Sequence, residues 1–107
     1  MQIKTTSIFT KSFKKLFKKD KNLLTQYEEL LKDLESNPNL GTHIGNGIYK
    51  IRVQNKSNNK GKSGGYRIIT YTKIEDTVLL VYIYSKSDTE NIHENVINSI
   101  IDNFQNT

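Results

Sequence analysis

Apolar residues recur at helical spacing through the first third of the chain. Phe13, Leu16 and Phe17, then Leu23, Leu24, Tyr27, Leu30, Leu31 and Leu34, stand three and four positions apart among charged residues, the period of an amphipathic helix. The pattern stops at Asn37-Pro38, a helix-ending pair, and Asp20 or Asn22 is placed to divide it into two helices. Ahead of it, residues 2–9 hold Ile3, Thr5, Ser7, Ile8 and Phe9. That β-leaning run predicts a first strand, with Thr10 as the N-cap of the helix that follows.

Beyond Asn37-Pro38-Asn39-Leu40-Gly41 the period changes from helix to strand. Residues 48–54 alternate, with Tyr49, Ile51 and Val53 on one face and Lys50 and Arg52 on the other. Residues 66–73 and 77–85 are β-branched and aromatic-rich runs meeting near Glu75-Asp76, which reads as a hairpin. The second run is almost wholly apolar and belongs inside the sheet. Ile92, Val96, Ile97, Ile100, Ile101 and Phe104 then form one helical stripe. Its start has two candidate capping pairs, Ser87 with Glu90 and Asn91 with Glu94. Strand, two helices, three strands and a helix predict a single α+β domain over residues 1–107.

Charge adds a second pattern. The net charge of +5 is unevenly distributed: residues 1–35 carry eight cations against five acids, residues 36–73 seven against none, and residues 74–107 one against six. A surface kept charged only for solubility mixes its signs, so the acid-free block from Ser36 to Ile74 points to a polyanionic partner such as phosphate. The lysines at 11, 14, 15, 18 and 19 surround Phe13, Leu16 and Phe17. They read first as a solvated helix face and second as further phosphate contacts. No cysteine is present, which removes disulfides, thiolate metal sites and a cysteine nucleophile. No apolar leader and no run of about 18 apolar residues is seen, so a cytoplasmic protein without a membrane partner is expected.

The densest chemistry is Lys60-Gly61-Lys62-Ser63-Gly64-Gly65-Tyr66-Arg67. A nucleotide-binding phosphate loop would need a glycine where Lys56 stands and a helix, not a strand, afterwards. Gly64-Gly65 suit a turn. Lys50 and Arg52, two residues apart on one strand face, lie roughly 6 to 7 Å apart, a span that brackets a phosphodiester. Arg67 opens a strand rich in Ile68, Ile69 and Tyr71, so its charge must be paired, snorkelled or used; a guanidinium there can hold a phosphate with two hydrogen bonds. Without carboxylates the block offers no ligands for a two-metal nuclease site, and neither metal nor cofactor is expected. Cleavage of RNA by its own 2′-hydroxyl remains open, with cations stabilising the developing charge and a lysine, tyrosine or histidine moving protons. Tyr84 ordinarily reads as core, Lys86 as a surface lysine and His93 as a capping histidine at a helix start.

Taken together, these residues resemble the RelE/HigB group of type II toxins, in particular the HigB-like branch with Gly-Lys-x-Gly-Gly-x-Arg before a strand. The resemblance runs through Thr10-Lys11-Ser12-Phe13-Lys14-Lys15, Glu35-Ser36-Asn37-Pro38, Tyr49-Lys50-Ile51-Arg52-Val53, the Gly61 to Ile69 stretch and Tyr84-Ser85-Lys86. It implies a small antiparallel sheet of about four strands, flanked by two N-terminal helices and one C-terminal helix. It also implies metal-free cleavage of messenger RNA on the ribosome, by 2′-hydroxyl attack that leaves a 2′,3′-cyclic phosphate. By the same resemblance the RNA is gripped by Lys50, Arg52, Lys56, Lys60, Lys62 and Arg67, and the catalytic group is drawn from Arg67, Lys62, Lys86, Tyr84 and His93. The proton acceptor stays open among Lys62, Lys50, Tyr84 and His93. Ser87 stands where the RelE pattern has a second arginine, and Ile92 or His93 where it has an aromatic residue. The implied partners are the ribosome, messenger RNA and a cognate antitoxin, commonly of helix-turn-helix type, whose complex with the toxin can bind operator DNA. Two other functions fit the same fold: a gyrase-binding toxin of the ParE branch, and a catalytically silent homologue that binds RNA or antitoxin.

Overall fold

A computed structural model describes residues 1–54, 65–89 and 91–106. The elements run β1 (Gln2–Thr5), α1 (Ser7–Lys19), α2 (Leu23–Ser36), β2 (Thr42–Gly45), β3 (Ile48–Val53), β4 (Tyr66–Ile74), β5 (Thr77–Ser85) and α3 (Glu94–Gln105). The five strands form one sheet in the order β1-β5-β4-β3-β2. Only β1 is parallel to its neighbour, pairing with Thr77–Leu80 of β5; the remaining pairs are antiparallel. The α+β class and three helices are as expected. The additional strand is β2, a four-residue edge strand built from Thr42, His43, Ile44 and Gly45.

Helix α1 starts earlier than Thr10. Thr6 is its N-cap: the hydroxyl accepts the Phe9 N–H at 2.9 Å and donates to the Val81 carbonyl at 2.7 Å. One side chain thereby closes the helix end and ties it to β5. Phe9 consequently belongs to the helix, where it is buried and stacks with Phe13 at 6.1 Å between ring centroids. The helical run divides where expected, with Asp20 as C-cap of α1 and Asn22 as N-cap of α2.

Both faces of the sheet are covered. On one, Phe9, Leu23, Leu30 and Leu34 of the first two helices pack on Ile51, Val53, Ile68, Val78, Leu80 and Ile83. On the other, Ile97, Ile100 and Ile101 of α3 pack on Ile48, Ile69, Leu79, Val81 and Tyr84. A strand buried on both faces has no reason to alternate, and this accounts for the apolar run of β5. A register shift beside Ile69 and Thr70, which pair with Tyr82 and Leu80, leaves Val81 as an extra residue. Such a bulge frees ladder groups, and the Val81 carbonyl is the one that receives the Thr6 hydroxyl. The turn between β4 and β5 is the hairpin expected at Glu75-Asp76, with Asp76 at φ 52°. Among the described residues no helix is long and apolar enough to cross a membrane.

Candidate nucleic-acid interface

Strand register assembles the basic site. Arg52 pairs with Arg67, and Arg67 with Tyr84, so three residues from β3, β4 and β5 stand in one row. The row lies on the face that α3 covers, and Lys50 is two residues along β3 on the same side. Beyond the α3 contact this face opens into a cleft of about 390 Å³. Four cations line it: Lys50, Arg52, Arg67 and Lys86. Gly41, Thr42 and Asn91 supply its uncharged wall.

Arg67 is the most constrained of the four. It is only 6% exposed, and its Nη1 donates to the Tyr66 carbonyl at 3.1 Å. Among the described residues no carboxylate pairs with it. A guanidinium has five donors in a planar fork. One anchored to backbone fixes the plane and leaves others for an anion. Lys50 is half-buried, and its Nζ donates to Asn91 Oδ1 at 3.0 Å across the cleft. Arg52 is exposed and Lys86 half-buried. Among the described residues no carboxylate contributes to the wall, so the charge that these residues give the cleft is positive and favours an anion.

The chain matches the family described as RelE toxin of the RelE/RelB toxin–antitoxin system over residues 1–102. It belongs to the RelE toxin family. Among curated proteins none matches it. Membership makes this protein the toxin of a toxin–antitoxin pair and implies a cognate antitoxin partner.

In this RelE-family toxin the expected site residues fall into three groups. Lys50, Arg52, Arg67 and Lys86 come together in the cleft. Tyr84 and His93 stand off its wall. The Tyr84 side chain, at the β5 end of the row, is 4% exposed, and its hydroxyl has no hydrogen-bond partner of good geometry. Burial pushes that phenol above its ordinary value, with the Arg67 guanidinium and the nearby Ile92 backbone opposing the rise. His93 is the N-cap of α3: its Nδ1 accepts the Asn95 N–H at 3.2 Å. The ring thus performs the capping task that a histidine at a helix start ordinarily performs, and neither Ser87 nor Asn91 caps the helix. Lys56, Lys60 and Lys62 lie outside the described residues. Three cleft residues carried no signal in the sequence as site residues. Gly41 ends the stretch that reads as a helix stop, Thr42 follows it without a reading of its own, and Asn91 sits in a stretch that reads as a capping box.

A second buried polar pair supports the rim from behind. Tyr66, the neighbour of Arg67, donates its hydroxyl to Asp20 Oδ2 at 2.7 Å, and both residues are buried. This bond joins the end of α1 to the start of β4. Burial first, and the Asp20 carboxylate second, push the Tyr66 phenol far above its ordinary value, with Asp88 adding in the same direction.

Proposed function

We propose that this toxin is a ribosome-dependent endoribonuclease that cuts messenger RNA through attack by the RNA's own 2′-hydroxyl, without a metal ion. The observation that carries the proposal is Arg67: a buried guanidinium, tied to backbone and without a carboxylate partner among the described residues, in the wall of a cleft with three further cations. Burying a charge without a partner is costly. An anion that docks there recovers that cost, and most fully where its own charge is greatest.

In the proposed reaction the 2′-oxygen forms a bond to the adjacent phosphorus and the P–O5′ bond breaks, giving a 2′,3′-cyclic phosphate and a 5′-hydroxyl. Charge builds on the non-bridging oxygens. Preorganised donors aimed at such charge are the largest single contribution in many enzymes; Arg67 fits that role, while Arg52 and Lys86 hold flanking phosphates. The 2′-hydroxyl proton needs an acceptor within hydrogen-bond reach. Of the four candidates, Lys50 is the described one on the cleft wall; Tyr84 is buried, His93 is engaged at the α3 cap, and Lys62 lies outside the described residues. The ribosome supplies the positioned message, and the antitoxin is the natural neutraliser.

The test is primer extension on message bound to purified ribosomes, with analysis of the fragment ends. Cleavage leaving a 2′,3′-cyclic phosphate and a 5′-hydroxyl is expected with wild type and lost with Arg67→Ala. A wild type that leaves the message intact while inhibiting gyrase supercoiling refutes the proposal in favour of a ParE-like target.

A further inference from the structure

We infer that Asn91 is a positioning residue that holds Lys50 in the cleft, an inference resting on the RNA-cleavage reading above. Asn91 belongs to the segment between β5 and α3, so it reaches Lys50 from the opposite wall. Its Oδ1 accepts one Nζ hydrogen at 3.0 Å. A lysine tip on a free four-carbon stem samples many rotamers, and holding it in one place costs that freedom. In the ammonium form one fixed acceptor takes up a single hydrogen and leaves two for an incoming phosphate; in the neutral amine that a proton acceptor requires, it takes up one of two hydrogens and leaves the lone pair for the 2′-hydroxyl.

The segment is itself well held, which is what a positioning residue needs. Two residues on, His93 caps α3 through its side chain, and its carbonyl accepts the N–H groups of Val96 and Ile97 at 3.0 and 3.3 Å. Ile92 packs into the core layer under α3. Its backbone also lies close enough to the Tyr84 hydroxyl to act on its acidity. Asn91 is therefore followed directly by a partly buried isoleucine and then by a capped helix start. The choice of a neutral amide also matters. A carboxylate at position 91 would accept the same hydrogen, but it would cancel one of the four positive charges that line the cleft.

The experiment is a double-mutant cycle with two readouts: single-turnover cleavage of ribosome-bound message, and affinity for a short all-2′-deoxy oligonucleotide that cannot be cut. Asn91→Ala is expected to slow cleavage about tenfold, the value of one hydrogen bond to a charged group. Asn91→Asp slows it further and weakens oligonucleotide binding. In a Lys50→Ala background the Asn91→Ala loss disappears; where that background is too slow to assay, the oligonucleotide affinity completes the cycle. Thermal melting of each variant reports on folding separately. An Asn91→Ala effect of equal size with and without Lys50, or no effect at all with Lys50 present, overturns the inference. A wild type that binds the oligonucleotide but never cleaves ends the enzymatic reading alone, and Asn91–Lys50 coupling in the binding data then still decides whether Asn91 positions Lys50.

Discussion

Arg52 on β3 and Arg67 on β4 stand directly opposite each other in the sheet, the first exposed and the second 6% exposed. Like charges in directly opposed cross-strand positions destabilise a sheet, on a scale where such pairs are worth about 0.2–1 kcal/mol. The inner arginine adds a desolvation cost that no carboxylate among the described residues offsets. Two unfavourable choices at one register position indicate a constraint other than stability. Arg67→Met keeps an unbranched stem of similar length in the strand and removes the charge. The melting temperature of this variant is expected to equal or exceed that of wild type, while cleavage of ribosome-bound message falls by about 10²–10³. Scanning calorimetry alongside primer extension checks both; a variant that melts far below wild type would mean that Arg67 is retained for the fold.

Gly41 shapes the uncharged wall through its backbone. Its φ is +97°, and a Cβ added there would sit 2.5 Å from the Lys50 carbonyl oxygen and 2.9 Å from Ile51 Cγ1. Both neighbours belong to the central part of β3 and have little room to move. Gly41→Ala is expected to destabilise the protein by about 1–3 kcal/mol, the range for a residue forced into a sparsely populated backbone region. Urea denaturation measures this, and RNA affinity should fall with it, because relief of the clash displaces Lys50. An unchanged denaturation midpoint would contradict the argument.

The sequence points to Thr10 as the cap of α1, and the structure gives that place to Thr6. The Thr6 hydroxyl bonds to the helix end and to a strand, whereas the Thr10 hydroxyl makes 3.3 Å contacts with the Thr6 carbonyl and the Thr5 hydroxyl at the surface. Thr6→Val should cost about 2 kcal/mol, roughly 1 for the cap and 1 for the Val81 carbonyl left without its donor. Thr10→Val should stay within about 0.5 kcal/mol, as surface substitutions usually do. Denaturant midpoints of the two variants decide which threonine closes α1.

The same contrast shows what the sequence could disclose. Helical period exposed α1, α2 and α3, because each must bury one stripe against the sheet. The alternation around Lys50 and Arg52 exposed the basic face of β3, and Arg67 stood out as a charge in an apolar strand. Thr6 escaped as the cap of α1, because its second bond is to Val81, 75 positions away. Strand β2 escaped because it is four residues long, Thr42, His43 and Ile44 are all exposed, and glycines stand at 41, 45 and 47, so no apolar alternation marks it. Asn91 escaped for a related reason: its partner Lys50 is 41 positions away, and only the packing of α3 on the sheet brings them together.

The buried phenols set how the fold responds to alkali. Tyr66, Tyr84 and Tyr27 are all raised above the ordinary tyrosine value near 10, each chiefly by burial and Tyr66 also by its bond to Asp20. A group whose proton is held more tightly in the folded state contributes stability that is fully present below the unfolded value and is lost as pH climbs towards the folded one. These tyrosines therefore contribute in full at neutral pH, and their contribution starts to fall near pH 10. Above that point each tyrosine still protonated in the fold costs up to about 1.4 kcal/mol per pH unit. Lysines titrate in the same region, so the comparison that isolates Tyr66 is with Tyr66→Phe. That variant should be less stable at pH 7, by about 1–3 kcal/mol, since the buried Asp20 carboxylate loses a donor. Its stability should then decline less steeply than that of wild type between pH 10 and 11. Urea titrations at pH 7, 9, 10 and 11 measure both slopes, and parallel curves for the two proteins would show that the Tyr66–Asp20 bond does not hold the phenol proton.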